Sequence, residues 1–336
     1  MWAITNKTSY TAERTWSRDK NGAHQWIVVV TATFDIGQNG AMRLADAQVP
    51  PLLMPEHYGE PASSSLRYEA DLVSEKPTTD VLVNAHAYAP GGKPTGTVPV
   101  ALRVGTMTKE LRVHGSRVFY RGVLNTAISD PAHFVDRPIR YEWAYGGTDT
   151  HDPNPLHHGM DPRNPVGMGF SVRERHRIEQ PAWSIEYPQG EPAKMGPAGF
   201  GPIASHWSPR LELAGTYDRE WEQKRKPLLP LDYDERFVLC APVDQRPPRY
   251  LRGGEPVALV NLTPQGVLRF TLPKVFLTFT TRIGRRVEEH QGNLATVLIE
   301  PCQMRVILSW QSSLSVRPTD VDYLDETLIR ERPFPS

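Results

Sequence analysis

Apolar and polar residues alternate toward both ends of this chain and lose that period in its middle. Val98, Val100, Leu102 and Val104 fall on every second position, and Leu111 and Val113 do the same after residues 107–109. The Val-Gly-Thr-Met-Thr-Lys stretch between these runs reads as a hairpin connection. Upstream, the run 25–34 (QWIVVVTATF) is short and β-branched, which favours a strand over a helix. Segment 80–88 opens with Val81 and Val83 in alternation, and 118–120 and 139–143 are further strand candidates. The pattern returns in 256–262, 267–272, 275–281, 294–300 and 304–310, where Met304, Val306, Leu308 and Trp310 share one face. A sheet packed on one side requires that period of two.

Helical signals are few. Residues 218–225 (DREWEQKR) place acidic residues early and basic ones late, the order that the helix dipole favours. Residues 171–179 make a short helix candidate capped by Ser171. Residues 320–331 carry Val321, Leu324 and Leu328 at helical spacing behind Asp320 as a cap. Short strands separated by turn residues, with so little helix, predict a mainly β fold with an antiparallel β-sandwich-like core. A single domain, 1–336, is expected. Strands from 1–145 and 255–315 would share its core, with 146–254 laid over them.

The middle of the chain departs from both periods. Residues 145–254 hold 15 of the 32 prolines, 12 of the 25 glycines and three of the eight tryptophans. Glycine reaches backbone angles closed to other residues, and proline removes freedom before folding begins. The segment is therefore expected to be rigid, irregular and aromatic.

Charge narrows the partners. Lys+Arg and Asp+Glu are both 38, so the formal net charge is zero. No basic stripe is present to neutralise phosphates or seek an anionic membrane, which argues against nucleic acid and membrane surfaces. Cys240 and Cys302 form no CxxC pair and read as reduced thiols. The first residues, Met-Trp-Ala-Ile-Thr-Asn-Lys, carry no basic-then-apolar leader, so a cytoplasmic location is expected.

Candidate chemistry is sparse. His151, His157 and His158 with Asp149, Asp152 and Asp161 are the strongest metal candidates, but their spacing matches no established zinc arrangement and prolines interrupt them. A polar loop whose Asp and Asn side chains cap turns is the preferred reading, so no metal or other cofactor is expected. Asp232 and Asp234, in LDYDERF, would share one side of a strand, with nothing nearby to desolvate either as a hydrolase acid. Gly91-Gly92-Lys93-Pro94 lacks the Ser/Thr of a phosphate loop and reads as a turn. Ser116 has no nucleophile-elbow context.

Taken in order, the blocks 75–90 (EKPTTDVLVNAHAYAP), 134–147 (FVDRPIRYEWAYGG), 164–169 (NPVGMG) and 199–245 resemble domain-of-unknown-function family 2169 of bacteria. The last block runs from Gly-Phe-Gly-Pro through Trp-Ser-Pro-Arg and Gly-Thr-Tyr-Asp to Ala-Pro-Val-Asp-Gln. The resemblance covers nearly the whole chain. One departure is Gly115-Ser116-Arg117, where the family pattern has Gly-Asp-Arg. The resemblance implies a non-enzymatic cytoplasmic adaptor or chaperone. It would bind and stabilise a type VI secretion effector and help load it onto the VgrG/PAAR spike, with no small-molecule substrate.

Interface anchors are enriched in Trp, Tyr and Arg. Trp183, Phe200, Trp207, Arg210, Tyr217 and Trp221 are accordingly the candidate protein contacts. Two other classes stay open: a carbohydrate-binding β-sandwich using ring platforms, and a hydrolase using Asp232 or Asp234.

Overall fold

The β-branched run forms the strand His24–Ile36, the spine of the first of three main sheets. The computed structural model describes residues 2–123 and 125–333. Across the first sheet the order is Thr11–Arg18, His24–Ile36, Arg305–Val316, Asn293–Glu300 and Asp80–Val83, with Met42–Leu44 pairing the end of the spine. Only Asp80–Val83 runs parallel to its neighbour. Trp26, Val28, Val30, Ala32 and Phe34 point to one face and meet Val306, Leu308 and Trp310 in the main core. The opposite face is covered by the chain after residue 45, which the Thr31 and Thr33 hydroxyls tie down at Val49.

The second sheet runs Ile185–Glu186, Met107–His114, Thr97–Val104, Pro256–Val260, Val267–Thr271. Its alternating Val98, Val100, Leu102, Leu111 and Leu259 enter the same core. The third runs Ala3–Asn6, Leu324–Arg332, Phe276–Ile283, Arg286–Gln291, and adds Leu277, Phe279 and Ile329. The protein is thus mainly β, built from mostly antiparallel sheets around one main apolar core.

Several local readings are overridden by pairing. Residues 320–331 are not a helix: a 3-10 turn at Pro318–Tyr323 leads into the strand Leu324–Arg332. That strand is held between Phe276–Ile283 and Ala3–Asn6, and burying Thr327 and Ile329 there outweighs the helical spacing. Residues 171–179 contain only the 3-10 turn Glu174–Arg177, and 139–143 is no strand but ends in the 3-10 turn Tyr141–Trp143. The polar strands Thr11–Arg18 and Arg286–Gln291 carry too few apolar positions to be read from sequence.

A polar chain links the first and third sheets. Trp26 Nε1 donates to Thr327 Oγ1 at 2.8 Å, and Thr281 Oγ1 lies 2.8 Å from both Thr327 Oγ1 and His290 Nε2. His290 Nδ1 reaches Ser312 Oγ at 2.6 Å, and its ring stacks on Phe279. Burial among these neutral partners pulls the imidazole down to about 4.

A second buried linkage ties the covering segment to the first sheet. Lys76 and Asp80, 4% and 0% exposed at their side chains, pair at 2.8 Å. Asp80 also accepts the Cys240 and Ala241 amides, each at 3.0 Å, while Lys76 donates to Thr296 Oγ1 at 2.9 Å. Burial alone would discharge both groups, but each one's charge holds the other ionised, with Lys76 above and Asp80 below its ordinary range.

Two outcomes are expected. Lys76→Met leaves a buried carboxylate without its cation and should cost about 3–5 kcal/mol of unfolding free energy in denaturant titration. An unchanged midpoint would remove the pair from its structural role. For His290, the unfolded state takes up a proton below its ordinary value of about 6.5, whereas the folded state resists until about 4. Stability should therefore fall as pH drops through that window, by about 3 kcal/mol from this residue. His290→Gln should flatten that part of the stability–pH curve relative to the parent protein.

Candidate functional site

The sequence blocks meet one another in space. Tyr145–Gly146 runs parallel beside Met168–Gly169, with Met168 N donating to Ala144 O at 3.0 Å and Phe170 N to Gly146 O at 2.8 Å. Asn164 sits behind this crossing, its Nδ2 donating to Tyr141 O at 2.8 Å and Tyr145 O at 3.0 Å. Gly146 has φ +145°, and a Cβ there would fall 2.3 Å from Asn164 O. Only glycine fits.

The long block 199–245 is interlocked in the same way. Gln245 Nε2 donates to Val81 O at 2.7 Å and Phe200 O at 2.9 Å, joining the Gly-Phe-Gly-Pro block to the edge of the first sheet. Lys109, from the second sheet, donates to Gln245 Oε1 at 2.9 Å and Asp244 Oδ1 at 2.8 Å. Arg210 donates to Phe237 O at 2.7 Å and Ile203 O at 2.9 Å, and pairs with Glu69.

These contacts revise the candidate anchors. Phe200, Trp207 and Arg210 are 0%, 1% and 4% exposed, so they serve the interior and present no contact surface. Trp207 packs edge-on against Tyr141, whose hydroxyl donates to Gly201 O. Trp183 is half-buried, wedged between Phe119 and Tyr145, and donates to Glu186 Oε2 at 2.7 Å. An aromatic-rich loop segment spends most of its rings on its own packing.

Tyr217 and Trp221 differ. The Thr216 amide and hydroxyl clamp Asp232 at 3.0 and 2.7 Å, closing the excursion 217–231 at its base. Within it, the helix expected from the charge order of 218–225 forms as Arg219–Lys224, and Asp218 caps it by accepting from Trp221 N at 2.8 Å. Trp221 Nε1 donates to Leu228 O at 2.8 Å, and its ring meets Tyr217 edge-on at 4.7 Å and 69°. Tyr217 is 53% exposed, and Leu211 and Leu231, which precede the two clamp residues in the chain, are 51% and 77% exposed. The result is an apolar face on a clamped, rigid base.

The remaining candidates separate. Asp232 is the clamp just described, and its bonds to Thr216 hold it below the ordinary carboxylate range. Asp234 accepts the Arg236 side chain and amide, which bring it down to about 2. Neither has the raised value a hydrolase acid needs. Gly91 and Gly92 lie in an exposed 3-10 turn, and Ser116 Oγ accepts from Arg137 at 3.2 Å. Both cysteines are free, Cys240 buried and Cys302 exposed. A cavity of about 220 Å³ lies behind the first sheet, lined by Leu82, Leu298, Ile307, Asp71, Lys76 and Arg305. Four of its charged groups already have partners: Asp71 with Leu52 N and Ser309, Lys76 with Asp80, Arg305 with Glu300 and Glu69 with Arg210.

The proposed metal cluster is divided. His157 pairs with Asp152 at 3.2 Å, His158 with the Asp152 carbonyl at 2.8 Å, and Asp161 with Arg163 at 2.6 Å. Asp149 keeps His151 Nδ1 at 3.1 Å and gains His176 Nδ1 at 2.9 Å, a residue that spacing did not single out. Burial alone would raise the Asp149 carboxyl, but His176 and the His151 and Val172 amides hold it well below the usual range.

A family model described as "Uncharacterized protein conserved in bacteria (DUF2169)" matches residues 21–311. The chain belongs to domain-of-unknown-function family 2169. No curated protein and no solved structure matches it. The family span contains every sequence block, the clamp at Asp80 and the Tyr217–Trp221 face. Outside it lie Ala3–Asn6 and Leu324–Arg332 of the third sheet. Among the described residues, no helix is long and apolar enough to cross a membrane.

In this member of family 2169 the positive-φ glycines divide by what surrounds them. Gly146→Ala should cost about 3 kcal/mol or more, from backbone strain plus collision with Asn164. Gly92→Ala, with nothing within 4 Å of the new Cβ, should cost about 1 kcal/mol. Thermal unfolding of the two variants side by side tests the distinction, and equal losses would contradict it.

Proposed function

We propose that this protein is a non-enzymatic cytoplasmic adaptor or chaperone that holds a type VI secretion effector and helps load it onto the VgrG/PAAR spike. The cargo docks on the clamped excursion 217–231, around the exposed Tyr217 ring and its partner Trp221. One observation carries this reading: Tyr217 stands exposed on a clamped base, while the other aromatic blocks are consumed by folding. A rigid aromatic anchor gives large contact area with little entropy to lose, which is how interface hot spots work. The neutral net charge fits a protein partner better than a nucleic acid. The link to the secretion spike rests on the resemblance of the sequence blocks.

The alternatives gain less support. A sugar platform needs coplanar rings, and Tyr217 and Trp221 meet at 69°. A hydrolase acid needs a desolvated carboxyl, and both Asp232 and Asp234 are held ionised by hydrogen-bond donors.

Co-expression with the effector encoded beside the gene is the test. A discrete complex by size exclusion with light scattering, with cargo insoluble or degraded when alone, is the expected result. Tyr217→Ala combined with Leu231→Asp should weaken that complex by about 30-fold or more, the size of one hot spot, with the unfolding midpoint unchanged. A complex that survives the double substitution moves docking off this face. No complex, with cargo stable by itself, sinks the adaptor reading.

A further inference from the structure

Asp149, His151 and His176 offer one ligand atom each, and these atoms lie within 4.8 Å of one another. Asp149 ends the strand Thr148–Asp149, directly after the constrained Gly146–Gly147 pair, and is 3% exposed. His151 follows two residues later on the loop. His176 arrives from 27 residues away on the 3-10 turn Glu174–Arg177, its side chain 11% exposed. The two imidazole rings sit 5.6 Å apart at 31°, so both flank the same carboxylate. Asp149 is fixed from behind by the His151 amide at 3.1 Å and the Val172 amide at 2.9 Å.

We propose that these three side chains form a binding site for a divalent transition-metal ion, with zinc the best match. Two imidazoles and a carboxylate suit zinc and its first-row neighbours and disfavour magnesium and calcium, which take oxygen ligands. Around a tetrahedral zinc, ligand atoms stand about 3.3–3.5 Å apart. His151 Nδ1 is 3.1 Å from Asp149 Oδ1 and His176 Nδ1 is 2.9 Å from Asp149 Oδ2, so ligation needs side-chain rotations that turn these atoms from each other to one ion. Each imidazole then carries its proton on Nε2 and turns the Nδ1 lone pair to the ion. The backbone amides on Asp149 remain as the outer hydrogen bonds that orient a metal-bound carboxylate.

Three protein ligands leave a fourth position. Beside the cluster is a cavity of about 160 Å³, lined by Gly146, Gly147, Asp149, His151, His176 and Arg177. Arg177, one of its lining residues, stacks its guanidinium over the Phe119 ring and has a buried Nε without a hydrogen-bond partner. Water or a small anion drawn from this cavity would be the fourth ligand. The ion ties the 3-10 turn 174–177 to the strand carrying Asp149, across a loop that the chain otherwise holds by hydrogen bonds. The site stands on its own geometry and does not depend on the adaptor reading.

The experiment uses tag-free full-length protein stripped with chelator and titrated calorimetrically with zinc chloride, alongside cobalt(II) absorption. One equivalent of zinc is expected, with an unfolding midpoint that rises with zinc and returns with chelator. Cobalt should give the intense visible bands of a four-coordinate ion. His176→Gln and His151→Gln should each weaken zinc binding at least a hundredfold, while His157→Gln and His158→Gln leave it unchanged. His151 is half-exposed, so its variant keeps the test valid if His176→Gln fails to fold by circular dichroism. No saturable equivalent, or binding that persists in His151→Gln and is lost in His157→Gln or His158→Gln, overturns the assignment.

Discussion

The Lys76–Asp80 pair is the interaction on which the rest of the architecture rests. Two charges with almost no exposure are tolerated because each neutralises the other and further hydrogen bonds, from Lys76 to Thr296 and from two amides to Asp80, support the pair. The bonds Asp80 makes are to the Cys240 and Ala241 amides, so the carboxylate is at once part of the first sheet and the anchor of the covering segment. Leu82, on the same face of that strand, packs with Cys240 and Ala241 in a small core of its own. An apolar replacement could fill the space, but it could not accept two amide hydrogens pointing inward. The pair therefore sets where the segment lands on the sheet, which hydrophobic burial alone leaves undefined.

Once that landing point is set, the loop-rich middle builds itself from mutual constraints. Gln245 and Arg210 each take up backbone carbonyls from separate stretches, replacing the ladder bonds that irregular chain cannot make. Glycines allow backbone to approach backbone, as at Gly146 against Asn164. Tryptophans fill the spaces this leaves, Trp207 against Tyr141 and Trp183 against Tyr145. Two surface features escape this consumption: the clamped excursion with Tyr217, and the Asp149 loop with its two imidazoles. The first stands on a short segment held at its ends, which lets Tyr217 be exposed and ordered together, and the second is held by the bonds that converge on Asp149.

Much of the fold was legible because burial imposes a period. The alternation in 98–104 and 304–310 appears as faces of Thr97–Val104 and Arg305–Val316 that enter one core. The helix at 219–224 was legible for a local reason, since its acidic-then-basic order acts within a few residues, whereas the Asp218 cap is shown only by the structure. The site residues were harder. Trp and Tyr announce contact area but not which side of it faces water, and the same composition gave a buried Trp207 and an exposed Tyr217. His176 was missed because its partner Asp149 comes back to it only through the Tyr145–Met168 crossing.

By itself the sequence determined the class of fold, the hairpins, the short helix and the family, since each depends on periodicity, on neighbours within a few residues, or on ordered blocks. The tertiary structure alone decided that 324–332 is a strand, because Thr327 and Ile329 gain more from two sheet partners than from helical spacing. It alone decided which aromatic rings are spent inside and which ligating side chains converge. Those outcomes depend on contacts between residues tens to hundreds of positions apart, and local pattern carries no record of them.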